Sequence, residues 1–148
     1  MFKKVSVFVL GVALALSMVG VGFSAGPDMN PKVKEMLSSA RAAIKIVKPE
    51  VVKAAIDSKE KAIILDVRDG GEFAAGRLPG AMNISRGTLE FNVFGKIPDQ
   101  SAKIYVYCKT SARSTMATKT LNDLGYKNAV LMDAPYEDWV KAGYPVER

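Results

Sequence analysis

Residues 104–113 constrain the fold more than any other stretch, because an apolar run passes directly into a polar turn and then a helix. Residues 104–107 are β-branched or aromatic, and they lead to Cys108, the only cysteine of the chain. The six residues from Cys108 to Arg113 predict a tight turn, and residues 114–124 have the apolar spacing of a helix. A strand followed by a short loop and a helix N-terminus is typical of an anion-binding cradle.

Strands and helices are predicted to alternate along the chain, which has the length of one domain. Strands are predicted at residues 44–47, 62–66, 82–84, 104–107 and 129–132. Helices or helical turns are predicted at residues 31–43, 49–56, 72–75, 87–91, 114–124 and 135–141. Connections of a dozen or more residues favour parallel strand pairing. We therefore predict an α/β fold, with a central, mostly parallel sheet flanked by helices on both faces.

The apolar spacing also predicts which side chains face the core. In the first helix these are Val33, Met36, Leu37 and Ala40, and in the helix after Cys108 they are Met116, Ala117, Thr120, Leu121 and Leu124. Trp139 and Tyr144 are predicted to pack in the core and as a lid over it.

The absence of histidine and the single cysteine exclude several kinds of site. Ser-His and Cys-His nucleophile pairs, histidine bases and most zinc sites need histidine. A disulfide within the chain or a C-x-x-C redox pair needs a second cysteine. We therefore predict no metal and no cofactor, with Cys108 acting alone or with a partner molecule. The net charge of +6 is spread along the chain, which predicts a solvated basic surface and no nucleic-acid partner.

The N-terminus has the pattern of a secretory signal peptide over residues 1–24. Lys3 and Lys4 precede an uncharged run at residues 5–23, and the small residues Gly22 and Ser24 predict cleavage after Ser24. This pattern predicts a periplasmic or secreted protein. The alternative is an uncleaved helix that anchors the chain in a membrane. Residues 25–43 then form an N-terminal extension with a helix, and residues 44–148 form the main domain.

Several motifs in residues 44–148 resemble those of a single-domain rhodanese, the thiosulfate sulfurtransferase-like family. They are Leu65-Asp66-Val67-Arg68, Glu72-Phe73, the segment 76–84 (Gly-Arg-Leu-Pro-Gly-Ala-Met-Asn-Ile), the strand and loop at 106–113, and residues 139–146. The resemblance implies a rhodanese-like fold. Ser111 stands where that family commonly has glycine, and glycine at this position eases a positive φ.

The resemblance implies sulfur transfer by way of a persulfide on Cys108. A thiolate is the attacking species, and the helix N-terminus, the loop N–H groups, Lys109 and Arg113 all favour that anion. Cys108 takes sulfur from a small anionic donor such as thiosulfate and passes it to a thiol or to cyanide. The substrate-binding residues implied are Lys109, Thr110, Ser111, Ala112 and Arg113. Asp66 and Arg68 are predicted to support the site structurally.

Alternatives remain open at this stage. A non-enzymatic persulfide carrier or a rhodanese-fold binding module would use the same cradle, in contact with a sulfur-handling protein. Arg113 alternatively pairs with a buried carboxylate, and Lys109 is alternatively a solvated surface residue. Phosphatase chemistry is disfavoured because cysteine-dependent phosphatases use a Cys-x5-Arg loop, whereas four residues separate Cys108 from Arg113 here. The chain is expected to be a monomer. In an oxidising compartment we expect Cys108 to rest as a persulfide or to depend on a reductant.

Overall fold

The computed structural model describes residues 29–148, and strands and helices alternate along them as the sequence predicts. The helices are α1 (Pro31–Ala42), α2 (Pro49–Asp57), α3 (Gly70–Ala75), α4 (Leu89–Lys96), α5 (Ala112–Asp123) and α6 (Tyr136–Lys141). The strands are β1 (Ile46–Val47), β2 (Ile63–Asp66), β3 (Met82–Asn83), β4 (Ile104–Tyr107) and β5 (Ala129–Met132). A short 3-10 helix, Arg86–Thr88, precedes α4.

The five strands form one parallel sheet in the order β1-β5-β4-β2-β3. The strand β4 lies in the centre, between β5 and β2. In the register of β2 with β4, Asp66 lies opposite Tyr107, so both strands end at the same edge. Cys108 follows β4 at this edge, and the backbone N–H of Val67 donates to the carbonyl of Tyr107 beside it. The predicted parallel sheet is confirmed.

Helices cover the two faces of the sheet and enclose a core on each. Along β2 and β4, Leu65 and Val106 point into one core while Ile64 and Tyr105 point into the other, because successive strand side chains face opposite ways. The helices α4 and α5 contribute to the first core with Leu89, Val93, Ala117 and Leu121. The helices α2 and α6 contribute to the second core with Val52, Ala55 and Trp139. The predicted two-sided α/β architecture is confirmed.

Two local predictions differ from the structure, one in the extent of a helix and one in which side chains are buried. The helix predicted at residues 87–91 is instead the 3-10 turn followed by α4, which continues to Lys96. Leu89 and Val93, four residues apart, are both buried in the core, and this packing sustains the helix beyond the predicted end. In α1, Leu37 and Ala40 are buried as predicted, whereas Val33 and Met36 are exposed.

The helix α5 is buried on more than its apolar side. Ala117 and Leu121 are buried as predicted, but so are the polar residues Ser114, Thr115 and Thr118. The helix α1 packs along α5, which gives α5 covered faces on two sides. The ion pair of Arg41 in α1 with Asp133, at 2.6 Å, fastens α1 to the edge of the sheet where β5 ends.

The predicted signal peptide at residues 1–24 lies outside the described residues. Within residues 29–148, none of the helices is both long enough and apolar enough to cross a membrane.

Candidate active site

Cys108 lies at the end of β4 and directly below the N-terminus of α5. Its side chain is buried, with 0% of the residue exposed. The backbone N–H of Ser114, in the first turn of α5, donates to the Cys108 sulfur at 3.3 Å. The positive end of the helix therefore points at the sulfur, which stabilises a negative charge there by about 0.3–1 kcal/mol or more when partly buried.

Backbone N–H groups line the loop above the sulfur. Within residues 29–148, the N–H groups of residues 109–113 have no protein acceptor. Consecutive free N–H groups in a turn form an anion-binding nest. Ser111 makes this turn possible, since its φ of 68° and ψ of −14° lie in the left-handed region. The resembled family commonly has glycine at this position, and the positive φ that glycine eases is present at Ser111.

Ser114 contacts the sulfur a second time through its hydroxyl. The Ser114 Oγ lies 3.2 Å from the Cys108 Sγ and 3.1 Å from the carbonyl oxygen of Ser111, to which it donates. When Cys108 is a thiol, the S–H can donate to this hydroxyl. When it is a thiolate, the hydroxyl can turn and donate to the sulfur, because the Ser111 carbonyl still accepts from the N–H and hydroxyl of Thr115. Ser114 therefore suits both protonation states of the sulfur.

Arg113 projects from the loop toward α3 and pairs with carboxylates there. Its guanidinium donates to both oxygens of Glu72, at 2.7 and 3.1 Å, and to Asp69 at 3.3 Å. The hydrogen bond from Arg113 lowers the pKa of Glu72 to about 2, and the same bond raises the pKa of Arg113. The negative charge of the nearby Asp69 raises the pKa of Arg113 further. Its predicted donor-binding role stays a prediction.

The other predicted loop residues differ in exposure. Lys109 and Thr110 are exposed, Ala112 is half-buried, and Ser111 is 6% exposed. The Lys109 ammonium lies 3.8 Å from Glu137 at the start of α6. The structure thus brings both predicted cations to the rim of the cradle, each beside an acidic side chain.

Asp66 and Arg68 form a buried ion pair behind the loop. The Arg68 guanidinium donates to both oxygens of Asp66, at 2.6–3.0 Å, and to the carbonyl of Gly76 at 2.6 Å. Burial opposes the charge of Arg68, but the hydrogen bond and charge of Asp66 raise its pKa overall. The guanidinium also stacks on the ring of Tyr136, 3.9 Å from the centroid, and the Tyr136 N–H donates to the carbonyl of Cys108.

Three residues of the site, Ser114, Glu72 and Tyr136, are not predicted from the sequence to have a role at the sulfur. Ser114 follows Cys108 by six residues, and a helix beginning at Ala112 places its N–H in the first turn, where it has no partner within the helix. That position indicates from the sequence alone that the Ser114 N–H is available to the sulfur. Glu72 and Tyr136 reach the site from other elements, and nothing local indicates their contacts.

Comparison with known proteins identifies the family. The Rhodanese-like domain family matches residues 48–142, more than half of the chain. The chain belongs to the rhodanese-like family. The resemblance found in the motifs is confirmed, and with it the rhodanese fold.

Rhodanese-like relatives include enzymes and proteins named as sulfur carriers. The Pseudomonas putida thiosulfate sulfurtransferase GlpE is 32% identical over 89 residues, 60% of this chain and 78% of GlpE. A Bacillus subtilis protein named as a sulfur carrier, YrkF, is 30% identical over 105 residues, 71% of this chain and 56% of YrkF. The chain therefore spans little more than half of YrkF.

A solved structure from Rhodopseudomonas palustris is also similar. It is described as a protein of unknown function and a possible tyrosine phosphatase, and it superposes with a TM-score of 0.70 at 28% identity. The match covers 83% of this chain and 100% of that one. In the present chain four residues separate Cys108 from Arg113, whereas a Cys-x5-Arg phosphatase loop has five. The Arg113 guanidinium donates to the carboxylate of Glu72.

Proposed function

We propose that this rhodanese-like protein is an exported sulfurtransferase that moves sulfane sulfur through a persulfide on Cys108. The observation that carries the proposal is the environment of the sulfur, which accepts the N–H of Ser114 beneath a loop whose N–H groups have no acceptor among the described residues 29–148. Such a site favours the thiolate and then the persulfide anion. Family membership supports sulfur transfer, and the pattern of residues 1–24 supports export.

The proposed reaction has two half-reactions on the same sulfur atom. The Cys108 thiolate attacks the outer sulfur of a donor such as thiosulfate, and the donor's sulfur–sulfur bond breaks with its electron pair leaving on sulfite. The outer sulfur stays on Cys108 as a persulfide. Cyanide or a thiolate then attacks that sulfur, and the electron pair of the broken bond returns to Cys108. No base is needed once the thiolate exists, which fits a chain without histidine.

A persulfide carrier is a second candidate, favoured by the sulfur-carrier name of the relative YrkF. A carrier would accept sulfur at the same cradle and release it only to a partner protein. The two candidates differ in whether the persulfide turns over with a small acceptor.

The decisive experiment is a thiosulfate:cyanide assay on protein purified after expression of the full chain. We expect turnover in the wild type and in Ser101→Ala, an exposed site remote from the cradle, and none in Cys108→Ser. Turnover that survives Cys108→Ser would overturn the mechanism. Absent turnover with a stable mass gain of one sulfur on Cys108 would support the carrier, and absence of both would leave a binding module.

Export is tested separately on protein isolated from its native cells. We expect an intact mass that begins at Ala25, recovery outside the cytoplasm, and Cys108 as a persulfide or in need of a reductant. A chain that keeps Met1 and sediments with membranes would support the anchored alternative. A full-length chain in the soluble cytoplasm would contradict both, and an air-stable free thiol would contradict the predicted resting state.

A further inference from the structure

The guanidinium of Arg113, in the loop of the cradle, is hydrogen-bonded to acidic residues. Arg113 uses three N–H donors on Glu72 and Asp69, two of them on the two oxygens of Glu72. Glu72 is itself fixed, because it also accepts the backbone N–H of Asp69 at 3.1 Å. The side chains of Arg113 and Glu72 are each only 30% exposed. Arg113 is therefore held toward α3, with most of its hydrogen-bonding capacity used.

The charges at the rim of the cradle sum to a negative value. Two cations, Lys109 and Arg113, lie beside three carboxylates, those of Asp69, Glu72 and Glu137. The difference of two positive and three negative charges is −1. A dianionic donor such as thiosulfate approaches against this charge, whereas the outer sulfur of a persulfide reacts as neutral R–S–SH.

We propose that Glu72 determines donor choice: by holding Arg113, it disfavours thiosulfate and leaves the cradle to sulfane sulfur donors of the persulfide class. The proposal rests on the sulfur-transfer function above and concerns only which donor loads Cys108. With a persulfide donor, R–S–SH, the Cys108 thiolate attacks the outer sulfur, the S–S bond breaks, and R–S⁻ leaves. The product is the Cys108 persulfide, with no oxidant or reductant required.

The test measures how fast each donor loads Cys108 in a single turnover, so it does not depend on the acceptor. Thiosulfate and the persulfide of 2-mercaptoethanol are the donors, and the mass gain of one sulfur is the readout. Glu72→Gln keeps an oxygen that can accept the Asp69 N–H but removes the charge that holds Arg113. We expect thiosulfate loading to rise about five- to tenfold and persulfide loading to change by less than about twofold.

Two further variants assign the effect to the pair. Glu60→Gln removes a carboxylate paired with Lys103, which precedes β4 at the opposite edge of the sheet, and it should leave both donors unchanged. Adding Arg113→Met to Glu72→Gln should abolish the gain with thiosulfate, because the released guanidinium is then absent.

The wild type alone offers a second measurement that does not depend on any variant folding. If the rim repels thiosulfate, its loading should speed up relative to persulfide loading as ionic strength rises, because salt screens like-charge repulsion. A fall in that ratio, or an equal change of both donors in Glu72→Gln, would overturn the donor proposal while sulfur transfer stands. No loading by either donor in wild type and variant would overturn the sulfur-transfer proposal itself.

Discussion

Two serines of the cradle act on the sulfur in different ways. Ser111 supplies the left-handed turn that raises the loop N–H groups over Cys108, and Ser114 contacts the sulfur directly. An L side chain in the left-handed region is strained by about 1 kcal/mol or more. Three hydrogen bonds to the Ser111 carbonyl, from Ser114 and Thr115, hold the strained residue in place.

Ser111→Gly should stabilise the fold. Glycine adopts the observed φ without strain, although its freedom in the unfolded chain offsets part of the gain. We expect the free energy of unfolding to rise by about 0.5–1 kcal/mol and the melting temperature by roughly 2–4 °C. Ser111→Ala keeps the Cβ and the strain, so it should show no gain. Equal stabilisation of the two variants in urea titrations would contradict a backbone cause.

Ser114→Ala should slow the reaction of the Cys108 thiolate. It removes a hydroxyl that can donate to the thiolate, a bond worth about 1.5 kcal/mol when one partner is charged. We expect the rate of Cys108 alkylation at pH 7 to fall by about three- to tenfold. Thr115→Val is the control, since the Thr115 hydroxyl bonds the Ser111 carbonyl rather than the sulfur. An equal fall in both variants would assign the effect to loop shape.

At the scale of elements, two ion pairs fasten neighbours to the cradle. Asp66 and Arg68 join the end of β2 to the loop at Gly76, and the ring of Tyr136 covers their charge from α6. Arg113 and Glu72 join α5 to α3 near the surface. The two pairs should contribute differently to the free energy of unfolding, because water screens a half-exposed pair more than a buried one.

Arg68→Met should destabilise the protein strongly. It leaves the Asp66 carboxylate buried without its cation and frees the Gly76 carbonyl, with an expected loss of about 3–5 kcal/mol. Arg77→Met removes a partly exposed partner of Glu147 and should cost under about 1 kcal/mol. Chemical denaturation of both variants measures the difference, and similar losses would contradict the special role of burial.

The pair of Glu72 and Arg113 should stabilise the fold except in acid. The pKa of Glu72 in the folded chain is about 2, below its ordinary value of 4.5, so unfolding takes up a proton between these values. The pair's contribution is present above about pH 4.5 and is lost as the pH falls through about 2. We expect Glu72→Gln to lose about 1 kcal/mol at pH 7 and to approach the wild type as the pH falls below about 2. A deficit that persists unchanged below this pH would contradict this cause.

At the scale of the whole molecule, the described fold extends beyond the family match. The match begins at residue 48, whereas α1 begins at Pro31 and packs along α5, the helix that directs its N-terminus at Cys108. The bond of Arg41 to Asp133 fastens α1 to the edge of the sheet where β5 ends. The helix α1 thus packs against the helix whose N-terminus points at the sulfur.

Leu37→Ala tests whether α1 is part of the cooperative fold. Leu37 is 6% exposed, and truncating a buried leucine costs about 2–5 kcal/mol. Met36, its neighbour, is 50% exposed, so Met36→Ala should change the free energy of unfolding by under about 0.5 kcal/mol. Matching small effects in thermal unfolding would show that α1 detaches before the rest unfolds.

Much of the site follows from local pattern. The strand before Cys108 and the helix after it depend on residues within a few positions of one another, so the sequence alone predicts them. The positive φ at Ser111 was indicated only by the resemblance to a family that commonly has glycine there. The parallel sheet follows from the sequence, because long connections exclude hairpins. Asp66 and Arg68, two residues apart at a strand end, were predicted as a supporting pair, and they bond to each other.

The contacts between distant parts of the chain depend on the tertiary structure. Arg113 and Glu72 are separated by 41 positions, and only the fold shows that the predicted donor-binding cation is held by a carboxylate. The packing of α1 along α5 and the burial of polar Thr115 and Thr118 are likewise not revealed by apolar spacing within α5. Local residues determined where the sulfur sits and which way the helix points at it. The charges facing it depend on which elements the sheet brings together, since electrostatic partners need proximity in space, not in sequence.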